Sequence, residues 1–370
     1  MTLTSGKLTI DLSAVQKNWQ IARERCGNGV DCAAVVKADG YGLGAEKIAL
    51  ALYQQGCRTF FVANLSEARV LQSLALPSIQ ISLLDGPRIG EERECAVAGF
   101  VPVLFTLEQI RRWAGVNAEQ KSPKPCVIKV DTGMHRLGLM PEDFHALCEQ
   151  SDLVRASHPR LLMSHLACAD DRRHPLSALQ LEQFHRYGAM MKAIVPDIKL
   201  SLANSSGIFL GARYHFDLVR PGASLYGVNP QPFSPNPMNP VVTLSLPIVQ
   251  IKEVTGPATV GYGATFEVPA GTKVTLAIVL GGYADGIFRA LGNAGHGVLN
   301  DQVVPIVGRV SMDTTIFDIT AVTAQVSVES SVINIIDRKV TVDDIAKSAG
   351  TIGYEVLTAL GGRYQREYLS

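Results

Sequence analysis

No stretch of this sequence approaches the roughly 18 consecutive apolar residues that a membrane-spanning helix needs, so no helical anchor is expected within it. The first residues, MTLTSGKLTIDL, lack a charged segment followed by an apolar one, and no secretory signal is expected either. Neither sign of charge dominates. The 34 Lys and Arg balance 34 Asp and Glu, which leaves no electrostatic reason to expect nucleic acid or an anionic membrane surface as partner. No CxxC pair is present: Cys26, Cys32, Cys57, Cys95, Cys126, Cys148 and Cys168 stand singly and are odd in number. That pattern argues against a disulfide framework and for reduced, packed thiols in a cytoplasmic protein. Internal repeats and low-complexity tracts are also missing.

What is present is a patterned chain of 370 residues, 47% hydrophobic and 18% charged, long enough for two domains. Ser13 with Gln16 reads as a capping box, followed by one helical face of Val15, Trp19 and Ala22. Apolar runs at Ala33–Val36, Thr59–Val62, Ile79–Leu83, Val101–Leu104, Cys126–Val130, Leu161–Met163 and Leu200–Ala203 each lead toward a helical segment. Such alternation marks a parallel sheet covered by helices. About eight units before residue 230 suit a closed (β/α)8 TIM-like barrel, assigned to residues 12–235. Near Pro230 the character changes. PQPFSPNPMNPVV is too rich in proline for a long helix or a central strand and reads as a linker. Beyond it, Val241–Leu246, Pro247–Val254, Lys273–Leu280, Gly297–Leu299, Val303–Val310 and Thr315–Asp318 read as short strands. Helical patterns return only at Val342–Ser348 and Tyr354–Leu360, so the second part is expected to be mostly β.

The segment AVVKADGYGLG carries the most chemistry. Lys37 directly follows an apolar run, at the strand end where barrel enzymes place their active sites. A lysine there can snorkel to water; buried at the barrel mouth, it can instead form a Schiff base with an aldehyde cofactor. Tyr41, between Gly40 and Gly42, can present a phenol to a phosphate. Other segments end in polar groups too: KVDTGMHRLG with Lys129, Asp131 and Arg136, SHL with His165, and NSSG with Asn204 and Ser205. VRPGASLYG adds Arg220 and a turn through Gly222 and Ala223 whose backbone N–H groups could hold phosphate. Each alone reads more readily as a satisfied structural residue. Four polar clusters at the ends of different barrel strands are much harder to read as solvated surface.

Taken together these segments resemble the alanine racemase family. Lys37 and Tyr41 in KADGYG, Arg136 in KVDTGMHRLG, Arg220 in RPGASLYG, Tyr262 in GYGAT and Met312-Asp313 in GRVSMD fall in the family's order, and the likeness extends to Tyr354. The resemblance implies a barrel followed by a β domain, here 236–370 joined by an N-terminal strand within 1–11. It implies a head-to-tail homodimer whose active sites each join one barrel to the partner's β domain, with pyridoxal 5'-phosphate as cofactor and no metal. It implies racemisation of L- and D-alanine by two bases, Lys37 and Tyr262 of the partner subunit, supplying D-alanine for peptidoglycan. A phenol titrates ordinarily near 10; the resemblance sets His165 near the tyrosine, hydrogen-bonded in turn to Arg220, as two cations favouring phenolate. Arg220 would also face the pyridine nitrogen and leave it unprotonated. Tyr41, Ser205, Gly222, Ala223 and Tyr354 would hold phosphate, with His165 and Asn204 beside the cofactor. Arg136 and the N–H of Met312 would bind the substrate carboxylate, and Lys129, if carbamylated, would position Arg136. Asp170, Tyr283, Arg289 and Arg309 match residues of the family's substrate entrance.

The sequence departs from the family pattern at several places. Gly40 stands for the usual alanine, adding backbone freedom expected to loosen the phosphate grip. Leu43 stands for a histidine, Ser201 where an entrance histidine is common, and Ser311 where cysteine is frequent. These changes bear on substrate preference, and a serine-preferring or broader racemase is the alternative. A decarboxylase of similar architecture usually carries a catalytic Cys-Asp in its second domain, whereas every cysteine here precedes residue 169. A non-catalytic carrier of the same cofactor is typically the barrel alone.

Overall fold

The computed structural model describes residues 6–322, 326–328 and 330–370; residues 1–5 of the expected N-terminal strand lie outside these. Short apolar runs become parallel strands buried on both faces, because helices cover the outside of the ring and side chains fill the inside. Seven positions follow in chain order: Ala34–Val35, Thr59–Val62, Gln80–Leu83, Val101–Leu104, Cys126–Lys129, Pro159–Met163 and Lys199–Ser201. Leu218–Val219 closes the ring. It pairs in parallel with Asp31–Cys32, and Ala33 N and Val35 N donate to Val219 O and Pro221 O at 3.0 and 2.9 Å. On its other side Arg220 N donates to Ala203 O at 3.0 Å.

The first helix, Leu12–Cys26, buries Val15, Trp19 and Ala22, but its cap is Asp11 rather than Ser13. The Asp11 carboxylate accepts from Ala14 N at 2.9 Å and from the Ser13 hydroxyl at 2.7 Å, and an ionised acceptor at the cap is stronger than a neutral hydroxyl. The segment from Pro230 to Pro240 is free of helix and strand.

An eight-stranded sheet follows, in which Lys7–Asp11 lies between Val242–Thr255 and Gln365–Leu369. Two strands expected on either side of Pro247 are one, Val242–Thr255. Proline is tolerated there because the strand changes partners at that point: Pro247 still faces Val332, while Ile248 already faces Val279. The expected run Val303–Val310 ends early, at Pro305. One apolar core runs from Leu8 and Ile10 of this sheet into the barrel. Late in the chain, the helix Gly353–Ala359 lies over the barrel mouth, its Tyr354 ring 6.1 Å from that of Tyr41.

Candidate active site

The stretch Lys37–Tyr41 forms a turn of the unusual hand. Ala38, Asp39 and Gly40 have φ of 53°, 53° and 62° with ψ near 50°, and Tyr41 has φ of 56°. Left-handed backbone costs an L-residue about 1–2 kcal/mol. Bonds four residues apart hold the turn, Gly40 N to Val36 O at 2.9 Å and Gly42 N to Ala38 O at 2.7 Å. Lys37 and Tyr41, also four apart, both line the same cleft. Gly40 relieves strain in this turn: a Cβ there would sit 3.1 Å from Ala45 N on a left-handed backbone. Leu43, next in the segment, is fully buried in the core.

The cleft has a volume of about 800 Å³ and opens at the carboxyl ends of the barrel strands. Lys37, Lys129, Arg136 and Arg220 bring four cationic groups to it. Tyr41, His165, Asn204, Ser205, Gly222, Ala223 and Tyr354 complete the expected set on its walls. The Tyr41 ring packs 4.6 Å from that of Tyr226, whose hydroxyl donates to Val35 O at 3.0 Å. Burial, with Tyr354 adding to it, lifts the Tyr41 phenol above its ordinary range and keeps it a neutral donor. Ser205 Oγ accepts from Gly222 N at 2.9 Å and Ser224 N at 3.3 Å, tying the two turns together.

Arg220 is buried among neutral acceptors. It donates to Ser164 O at 2.6 Å and to the Ser201 hydroxyl, which itself donates to Leu218 O at 2.6 Å. Ser201 is therefore no entrance residue; it lies fully buried against the guanidinium. Burial pulls Arg220 down to about 9, still charged at neutral pH. His165 meets Asn204 Nδ2 at 3.4 Å, and no hydrogen bond joins it to Arg220 among the described residues. Burial, followed by Arg220, Lys129, Arg136 and Lys37, drives its imidazole well below the usual range. Of the two cations expected to favour phenolate, only Arg220 keeps its charge.

Lys129 is buried, and burial with the neighbouring Arg220, Arg136 and Lys37 lowers it to about 8. No carboxylate forms a salt bridge with it among the described residues. Asp131, two residues on, is occupied elsewhere: it accepts from Gly133 N at 2.7 Å, Met134 N at 3.0 Å and Arg136 N at 3.2 Å. Burial opposes its ionisation, yet these N–H groups win and hold the carboxyl low.

The remaining expected residues are not brought into the cleft. Tyr262 is 72% exposed and Met312 54% exposed, and Tyr283, Arg289 and Arg309 are exposed as well. Their loops adjoin one another: Arg309 lies against Gly263, and Tyr283 N and Ala284 N donate to Ser311 O and Met312 O, each at 3.0 Å. Asp170 is exposed near Tyr354, whose phenol is raised by burial first and by this carboxylate next. Sequence reading missed Asp85, Thr351, Glu355 and Thr358 on the cleft wall. Only Asp85 had a signal, since it follows the run Ile79–Leu83 at a strand end.

A cationic cleft at the carboxyl mouth of a barrel, with a second polar cluster on an attached β domain, defines a two-domain barrel enzyme. The family model described as alanine racemase, N-terminal domain, matches residues 10–230, and its C-terminal counterpart matches 241–368. The alanine racemase of Rhodospirillum rubrum is 44% identical over 98% of this chain and 95% of its own length. A catabolic alanine racemase of Agrobacterium fabrum is 42% identical over 99% and 92%. The crystal structure of the Bartonella henselae alanine racemase with covalently bound pyridoxal phosphate superposes with a TM-score of 0.93, at 37% identity and with 99% and 100% covered. The chain belongs to the alanine racemase family and is an amino-acid racemase, an isomerase.

That family depends on pyridoxal 5'-phosphate, and the residues present fit it. Lys37 offers an amine at a strand end, and four cations converge on the cleft with two carboxylates, Asp85 and Glu355, on its wall. Gly222 leaves a cradle: a Cβ there would lie 2.4 Å from the Tyr41 hydroxyl.

Proposed function

We propose that this chain interconverts L- and D-alanine with bound pyridoxal 5'-phosphate, using Lys37 of one protomer and Tyr262 of the partner subunit as its two bases. The supporting observation is the division of the polar groups. The cleft holds Lys37 and the anion-binding residues, while Tyr262 stands exposed with Met312, Tyr283 and Arg309 on adjoining loops of the β domain. Two copies arranged head to tail complete each cleft with the other's loops.

When bound, the cofactor spreads the negative charge left at the α-carbon, which makes removal of the α-hydrogen feasible. Lys37 would hold the cofactor, and its amine moves a proton at the α-carbon on one face of the substrate. Tyr262 of the partner subunit moves it on the other, and Arg220, as the neighbouring cation, favours its phenolate. Arg220 would face the ring nitrogen, where a guanidinium can donate but cannot accept a proton. Tyr41, Ser205, Gly222, Ala223 and Tyr354 bind the phosphate, with His165 and Asn204 beside the ring. Arg136 and the N–H of Met312 bind the substrate carboxylate.

Lys129 serves through a carbamate. Its lowered pKa leaves neutral amine near physiological pH; that nitrogen adds to carbon dioxide, releases a proton, and replaces a cation by an anion beside Arg136. Asp170, Tyr283, Arg289 and Arg309 form the substrate entrance, and the D-alanine made in the cytoplasm supplies peptidoglycan.

Two variants test the assignment. Lys37→Ala should abolish the visible absorption of the bound cofactor; an unchanged spectrum rejects Lys37 as its carrier. Tyr262→Phe should keep solvent exchange of the α-hydrogen from D-alanine and lose it from L-alanine. Equal loss from both enantiomers rejects the two-base division.

A further inference from the structure

Lys37 and Tyr41 reach the cleft from a backbone that L-residues avoid, so contacts outside the turn must hold it. Within the turn, Gly40 N and Gly42 N find carbonyls, and Asp39 Oδ1 accepts from Ala45 N at 2.9 Å. The N–H of Ala38, at the start of the turn, has no earlier carbonyl within reach of the helical pattern. It donates instead to Glu67 Oε1 at 2.9 Å. The second carboxylate oxygen, Oε2, accepts from Ala63 N at 2.8 Å, just beyond the strand Thr59–Val62. One half-buried side chain thus ties the peptide between Lys37 and Ala38 to the end of the neighbouring barrel strand. Its own base is fixed. Glu67 lies in the first turn of the helix Leu65–Gln72, where its N–H donates to the Asn64 cap at 3.2 Å.

We propose that Glu67 is a positioning residue for Lys37: its two carboxylate oxygens clamp the left-handed turn and so set the direction in which Lys37 and Tyr41 enter the cleft. This rests on the reading that Lys37 carries the cofactor. The pattern demands a carboxylate, because both groups facing it are N–H donors. A glutamine offers one acceptor and sets an NH2 against the other N–H; an alanine leaves both unpaired. Aspartate is one methylene too short to span the same two amides from this helix.

The test uses the cofactor-free and loaded forms of the full chain. In Glu67→Ala, amide hydrogen exchange at residues 38–42 of the cofactor-free protein should quicken at least roughly tenfold, and the pyridoxal phosphate dissociation constant should rise by about the same factor. Glu67→Gln, which keeps one bond, should fall between that variant and the parent. Asn64→Ala removes the helix cap but leaves the clamp, and should lower the melting temperature while both readouts stay near the parent's. Unchanged exchange and affinity in Glu67→Ala overturn the proposal. So does an Asn64→Ala variant that moves them equally, since the effect would then belong to the helix as a whole. Lys37→Ala separates the two claims: if its visible band persists, the cofactor assignment fails, while exchange in the cofactor-free chain still judges the clamp.

Discussion

At the scale of single residues, four cations outnumber the two carboxylates, Asp85 and Glu355, on the cleft wall, and Lys129 registers it in its titration. Burial and three neighbouring cations lower its amine to about 8. In the unfolded chain it keeps its proton up to its ordinary range near 10.5. Between those values the unfolded state holds the extra proton, so stability of the cofactor-free enzyme rises with pH from about 8 to about 10.5. In carbon-dioxide-free buffer, denaturant midpoints at pH 8 and pH 10 should show this gain, at most roughly 3 kcal/mol, and Lys129→Met should flatten it. An equal gain in the variant would assign the effect to other groups. With 13C-labelled bicarbonate, the parent should show a carbamate resonance that Lys129→Met lacks; its absence from the parent would reject carbamylation. Gly40→Ala belongs to the same scale. It places a Cβ 3.1 Å from Ala45 N at φ of +62°, and should cost about 1–2 kcal/mol in urea unfolding. No loss would mean that the turn is already strained for other reasons.

At the scale of elements, what was legible follows from the physics of burial. Thr59–Val62, Val101–Leu104 and Lys273–Leu280 coincide with strands because apolar runs of that length, between turn formers, have few other ways to be covered. The left-handed turn was not legible: Ala38 and Tyr41 carry no local preference for positive φ, and only Gly40, Gly42 and, weakly, Asp39 hint at it. Glu67 was invisible for a related reason. In sequence it is an ordinary acidic residue in a helix's first turn, and only the closed ring brings Ala38 and Ala63 to its two oxygens. The continuous strand through Pro247 was missed because the change of partners that tolerates the proline is a tertiary event. Lys7–Asp11 shows how far an element depends on distant ones: Leu8 and Ile10 are fully buried between Val242–Thr255 and Gln365–Leu369. Leu8→Ala should therefore destabilise the chain by about 2–5 kcal/mol in a denaturant titration. A loss under about 0.5 kcal/mol, typical of surface sites, would contradict that placement.

At the scale of the whole molecule, the proposed site is divided between the barrel and the β domain. The residues proposed for cofactor attachment and anion binding line the cleft, whereas the proposed second base, Tyr262, and Met312 sit on exposed loops. Strand-end cations mark the cleft residues in the sequence, whereas Tyr262 and Met312 follow only from the family resemblance. Neither showed that one chain fails to bring the halves together; that required the fold. The central claim is that two chains share each site, and complementation tests it most directly. Lys37→Ala and Tyr262→Phe chains, each inactive in racemisation alone, are mixed under conditions that exchange subunits, with exchange verified by differently tagged chains. In a mixed dimer one site loses both bases and the other keeps both. Racemisation should therefore return, at about a quarter of the parent's rate per chain if half of the dimers are mixed. No recovery despite verified exchange would contradict shared active sites.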